Sequence, residues 1–85
     1  MARTGRPRSE KALYSHAFAL AMNIVNKNYD FSHIHSVTWS ERSGSRLDVI
    51  VNITDSEGCD AGDVKVEVYF IDGEFAALDK GKVTK

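Results

Sequence analysis

Apolar residues recur at helical spacing over the first third of the chain and then switch to alternation. Leu13, Ala17, Leu20, Ala21 and Ile24 stand at i, i+4, i+7, i+8 and i+11, and Tyr14, Phe18, Met22 and Val25 widen the stripe. This 3.6-residue period predicts an amphipathic helix of about five turns. Ser9 is placed to cap its N-terminus, with Glu10 favourable in the first turn. Asn26, Lys27 and Asn28 predict its end.

Beyond residue 33 the period is two. Val37 and Trp39 alternate with Thr38 and Ser40, predicting a short strand over 34–41. Arg42, Ser43, Gly44 and Ser45 read as a turn. Leu47, Val49, Val51 and Ile53 alternate with Asp48, Ile50, Asn52 and Thr54, and Val64, Val66, Val68 and Phe70 alternate with Lys65, Glu67, Tyr69 and Ile71. Both runs are rich in β-branched residues and predict strands. Asp72-Gly73 is a preferred two-residue hairpin turn. It would return Glu74 to Leu78 as a short edge strand, with a helix over 74–79 as the alternative reading.

The fold class that follows is α+β: one N-terminal helix packed on an antiparallel three- to four-stranded β-meander, in the order α-β-β-β-β. The helix stripe should dock on the sheet face carrying Val49, Val51, Val66 and Val68. Residues 1–8 read as a basic arm broken by Gly5 and Pro7, 9–79 as a single domain and 80–85 as a loose tail.

Size and composition narrow the function classes. At 85 residues the chain has room for one modest core, and 42% apolar with 27% charged residues is the balance of a folded domain rather than a disordered one. One cysteine, Cys59, excludes an internal disulfide and a cysteine-based zinc site. The longest apolar stretch, 17–22, is too short to span a membrane, and the basic, polar start has no apolar segment behind it, so a cytoplasmic protein is expected. The net charge of −1 hides an asymmetry. Arg3, Arg6, Arg8 and Lys11 against Glu10 give the first eleven residues +3, leaving −4 on the rest.

Three groups of residues carry candidate chemistry. The loop from Asp55 to Asp63 holds Asp55, Glu57, Asp60 and Asp63 with glycines between, but not in the register of an EF-hand. It reads as a solvated acidic loop able to face a basic partner. His33 and His35 form a His-x-His pair with no third ligand in sequence reach. Cys59 lies among carboxylates, which disfavour a thiolate, so a nucleophilic role is not expected. No catalytic set, no cofactor and no metal site is expected. The sheet face away from the helix would instead show Ile50, Tyr69 and Ile71 among charged residues. Lacking cover from a second helix, these three should form one patch, flanked by the acidic loop, for homodimerisation or for a target.

The arm resembles known motifs. Gly5-Arg6-Pro7 followed by Arg8 is similar to the core of the AT-hook family, which lies in the minor groove of A·T-rich DNA; Thr4 stands where that family has arginine. That resemblance implies DNA contact through Arg3, Arg6, Arg8 and Lys11. Ala2 to Arg8 is also similar to the opening of some phage terminase small subunits, over those residues only, which implies a phage or mobile-element origin. The α-β-β-β order resembles the double-stranded-RNA-binding domain, but residues 73–80 lack the basic cluster with which that family reaches phosphates.

The expected function is therefore a small non-enzymatic binding protein. It would be a phage or mobile-element modulator that docks on and inhibits a host protein or nucleoprotein complex in the host cytoplasm, of the host-defence inhibitor type that includes anti-CRISPR proteins. The residues expected to bind are Ile50, Tyr69, Ile71, Asp55, Glu57, Asp60 and Asp63. A DNA-binding accessory protein using the arm is the alternative, opposed by the acidic body.

Overall fold

The structure, a computed structural model, describes residues 10–29 and 33–83. The expected arm at 1–8 and the Ser9 cap lie outside them. The helix α1 spans Glu10–Asn28 and is followed by four strands, β1 (His33–Ser43), β2 (Arg46–Thr54), β3 (Asp60–Ile71) and β4 (Glu74–Val83). They form one antiparallel sheet in sequence order, β1-β2-β3-β4. Three short connections leave the meander as the direct solution.

The core lies between α1 and one sheet face. Ala17, Ala21 and Val25 are fully buried against Leu47, Val49, Val51, Ile53, Val64, Val66 and Val68, with Leu13 also buried. The expected docking face is thus the observed one. The innermost helix positions are two alanines, which let the backbone come close to a sheet built of valines. Leu20 and Ile24 are only half-buried and pack on one flank of the helix, with Tyr14 and Phe18 half-buried on the other.

The helix end is tied to β4. Asn28 donates to Asp79 at 2.9 Å, and the Tyr29 hydroxyl lies 3.5 Å from the other Asp79 oxygen. Burial, and then the Asp79 charge and hydrogen bond, push the Tyr29 phenol above its usual range. At the opposite end of α1, Trp39 meets the Tyr14 ring edge-on at 5.4 Å. The Arg42 guanidinium lies 5.7 Å from the Tyr14 ring centre and 5.2 Å from that of Phe70.

The strands are longer than the alternation indicates. β1 runs over 33–43 rather than 34–41, and β3 begins at Asp60 rather than near Val64. Residues 74–79 are strand, not helix. The strand continues through Lys80 to Val83, so this part of the expected loose tail belongs to the sheet. Asp79 explains the continuation: it faces the helix, where Asn28, Tyr29 and the Gly81 amide satisfy it.

The two outer strands differ in regularity. β1 carries two bulges, between Ile34 and Ser36 and between Trp39 and Glu41. β4 pairs without interruption from Glu74 to Asp79 and is irregular only at Lys80-Gly81. The turn between β3 and β4 has Asp72 at φ 56° and Gly73 at φ 80°. Positive φ at both central positions makes it the type I′ turn that suits a twisted hairpin.

Candidate functional site: the open face of the sheet

Side chains alternate across a strand, so the residues between the core valines all point to the other face. Strand pairing sorts them into rows. Glu41, Asp48, Glu67 and Leu78 lie in one row across all four strands. On one side of it lie Arg46, Tyr69 and Ala76, and on the other Thr38, Ile50 and Lys65.

The centre of this face is charged and largely covers itself. Asp48 is only 1% exposed although no described helix or strand lies over it. Arg46 Nε stands 3.2 Å from one carboxylate oxygen and Lys65 Nζ 3.6 Å from the other. These two side chains, each about a third exposed, lie over the short aspartate and cover it, with Arg46 Nε itself buried against the carboxylate. Glu67 accepts a hydrogen bond from the Tyr69 hydroxyl. That bond holds the Glu67 carboxyl below its usual range, with Lys80, Arg46 and Lys65 adding to the effect and burial opposing it. The same bond, then burial, raises the Tyr69 phenol.

The β3–β4 half of the face is apolar and open. Tyr69 pairs with Ala76, Ile71 with Glu74 and Glu67 with Leu78. Tyr69, Ile71, Ala76 and Leu78 therefore adjoin one another. Ile71 is 55% exposed and Leu78 50%.

The expected patch is thus only partly assembled. Tyr69 and Ile71 are together, but Ile50 pairs with Lys65, four residues from Tyr69 along β3, or ~13 Å at strand rise. The Asp48–Glu67 pair lies between them. Ala76 and Leu78, which complete the patch, were missed because the face of β4 could not be assigned without its register. The acidic loop does not flank this patch. It joins the far end of β3, so that Asp60 and Tyr69 lie ~30 Å apart along the strand.

Most of that loop's carboxylates serve the loop itself. Asp55 Oδ1 accepts the amides of Glu57 and Cys59, each at 2.9 Å, and the Asp55 amide donates to the Cys59 carbonyl. Asp60 Oδ1 accepts the Gly62 amide at 2.9 Å, and Asn52 Nδ2 donates to Asp63 at 2.7 Å and to Asp60 at 3.2 Å. Glu57 is exposed at the loop tip. The three histidines do not converge: His33 and His35 are exposed on edge strand β1, whereas the His16 ring meets that of Phe75 on the opposite edge at a tilt of 48°, ring centres 4.2 Å apart. Among the described residues no three His, Cys, Asp or Glu side chains converge on a point that would hold a metal ion. Lys11 is exposed on the first turn of α1, and Arg3, Arg6 and Arg8 lie outside the described residues.

No described helix is long and apolar enough to cross a membrane. Comparisons with protein-family models, with curated proteins and with solved structures gave no match.

Proposed function

We propose that this chain is a non-enzymatic binding protein that docks on a larger host protein or nucleoprotein complex through the β3–β4 half of its open sheet face. The observation that carries the reading is the contiguous set of exposed Ile71, Ala76 and Leu78 with half-buried Tyr69. Two large aliphatic side chains, Ile71 and Leu78, half-exposed at the two ends of this set with the Tyr69–Ala76 pair between them, favour burial by about 1 kcal/mol each when a partner covers them. The charged centre beside them, with Arg46, Lys65, Glu67 and Lys80, supplies a polar rim that selects among partners. The phage-like opening of the chain supports placing the target in a bacterial host, with inhibition of a host-defence complex, as by anti-CRISPR proteins, as the biological role.

The test is affinity capture from bacterial lysate with the tagged chain and an Ile71→Ser, Leu78→Ser double variant. Neither residue touches the core, so the melting temperature should hold while the captured partner is lost. If capture survives the double variant but is lost on nuclease treatment or on deletion of residues 1–8, the arm is the binding element. DNA is then the partner, as the alternative holds.

A further inference from the structure

We infer that a second copy of this chain adds to the sheet at β4, antiparallel about a two-fold axis at Ala77, giving one continuous eight-stranded sheet. The inference does not depend on the docking reading above, since a monomer can also present Leu78 to a target.

The backbone of β4 supplies the first argument. A type I′ turn closes with a hydrogen bond between its first and fourth residues, here Ile71 and Glu74. In an antiparallel ladder bonded and non-bonded pairs alternate. Glu74, Ala76 and Leu78 therefore direct their amides and carbonyls to β3, and Phe75, Ala77 and Asp79 direct theirs outward. β4 is an edge of the described sheet, and the helix packs on one face of all four strands, meeting β4 through His16 on Phe75 and through Asn28 and Tyr29 on Asp79. The outward groups of 75, 77 and 79 thus form a regular template over the stretch that lacks bulges. β1, the other edge, is interrupted twice, which is how natural sheets block pairing. β4 has its interruption and its lysines only beyond Asp79, at Lys80, Gly81 and Lys82.

Side-chain chemistry supplies the second argument. The stretch 74–80 reads Glu-Phe-Ala-Ala-Leu-Asp-Lys. Paired with itself about Ala77, it sets Glu74 opposite Lys80 of the second copy, Ala76 opposite Leu78, and the same in reverse. All four residues are exposed; the register puts Glu74, Ala76 and Leu78 on the open face, and Lys80, at the irregularity that ends the regular stretch, acts electrostatically on Glu67 of that face. A two-fold axis demands a self-complementary surface, and this register gives it: two apolar pairs at the centre and an opposite-charge pair at each end. The same register makes Ala77–Ala77, Phe75–Asp79 and Asp79–Phe75 the hydrogen-bonded pairs, matching the outward backbone groups. Leu78 of each copy then lies next to the other's Ala76, and the two apolar patches merge.

The test needs no target: sedimentation equilibrium of the purified full chain across micromolar to millimolar concentration, on wild type and three variants. Wild type should approach twice the chain mass of 9.4 kDa. Ala77→Pro removes an outward amide without touching the pairing to β3. It should stay monomeric while keeping its circular dichroism. Glu74→Lys sets like charges opposite each other at both ends and should weaken the dimer about tenfold. Glu74→Lys with Lys80→Glu restores both pairs and should return the dimer to near wild type. A wild type that is monomeric throughout overturns the inference. So does a dimer that tolerates Ala77→Pro, or one weakened by Glu74→Lys that the double exchange fails to rescue. A monomeric wild type whose target capture is lost in the Ile71→Ser, Leu78→Ser variant would overturn this inference alone; a dimeric wild type whose capture that variant leaves unchanged would overturn the docking reading alone.

Discussion

Replacing Asp48 with alanine tests whether the charged centre of the open face is a sealed ion pair or a screened one. The carboxylate is 2% exposed, but its partners Arg46 and Lys65 are 35% and 36% exposed. At these separations each cation attracts it by about 5 kcal/mol gross at an effective dielectric of 20. Desolvating the carboxylate takes back several kcal/mol, and Glu41 and Glu67 in the same row repel it. When Asp48 is removed, both cations turn to water, so the large penalty of an orphaned buried charge does not arise. The net loss should be about 1–2 kcal/mol, above an exposed pair and below the ~3–5 kcal/mol of a sealed one. Urea unfolding at pH 7, at one low micromolar concentration so that association does not contribute, measures it with an unchanged m value. A loss above 3 kcal/mol would show that the pair is sealed. A gain in stability would show that it is held against its own cost.

Two further expectations concern the core and the pH response. Val25→Ala, at a fully buried helix position, should cost about 2 kcal/mol, whereas Leu20→Ala, at a half-buried flank, should cost about the same or less despite removing more carbon; thermal melts of both decide, and a much larger loss at Leu20 would contradict the placement of the helix. Tyr69→Phe should flatten the pH dependence of the melting temperature at both ends. Glu67 titrates lower in the folded chain, so its contribution is present above the usual glutamate range and lost as pH falls through it; Tyr69 titrates higher when folded, so its contribution is lost as pH rises past about 10. Limbs that match wild type would remove the Tyr69–Glu67 bond from the account.

The helix, the strands and the docking face were legible because Leu47 to Ile53 and Val64 to Phe70 alternate without a break and the helix stripe has one matching surface. What escaped depends on register and on long-range partners. Ile50 and Tyr69 share a face by parity, but only the pairing of Ile50 with Lys65 shows that four residues part them. Leu78 joins the patch only once β4 is set opposite Glu67. The run Lys80 to Lys82 has no apolar alternation and reads as a tail; it continues the sheet from Asp79, which Asn28 and Tyr29, some fifty positions away, meet there. Asp48 reads as a solvent-facing residue. Its burial comes from the side chains of Arg46 and Lys65, which no local pattern reveals.

The central claim is that the β4 edge and the apolar patch beside it form an association surface, and amide hydrogen exchange across a concentration series tests it most directly. The amides of Ala76 and Leu78 face β3 and should be protected at every concentration. Those of Phe75, Ala77 and Asp79 should exchange freely when dilute and become protected as concentration rises through the dimerisation range. Free exchange at these three positions at all concentrations would contradict the account.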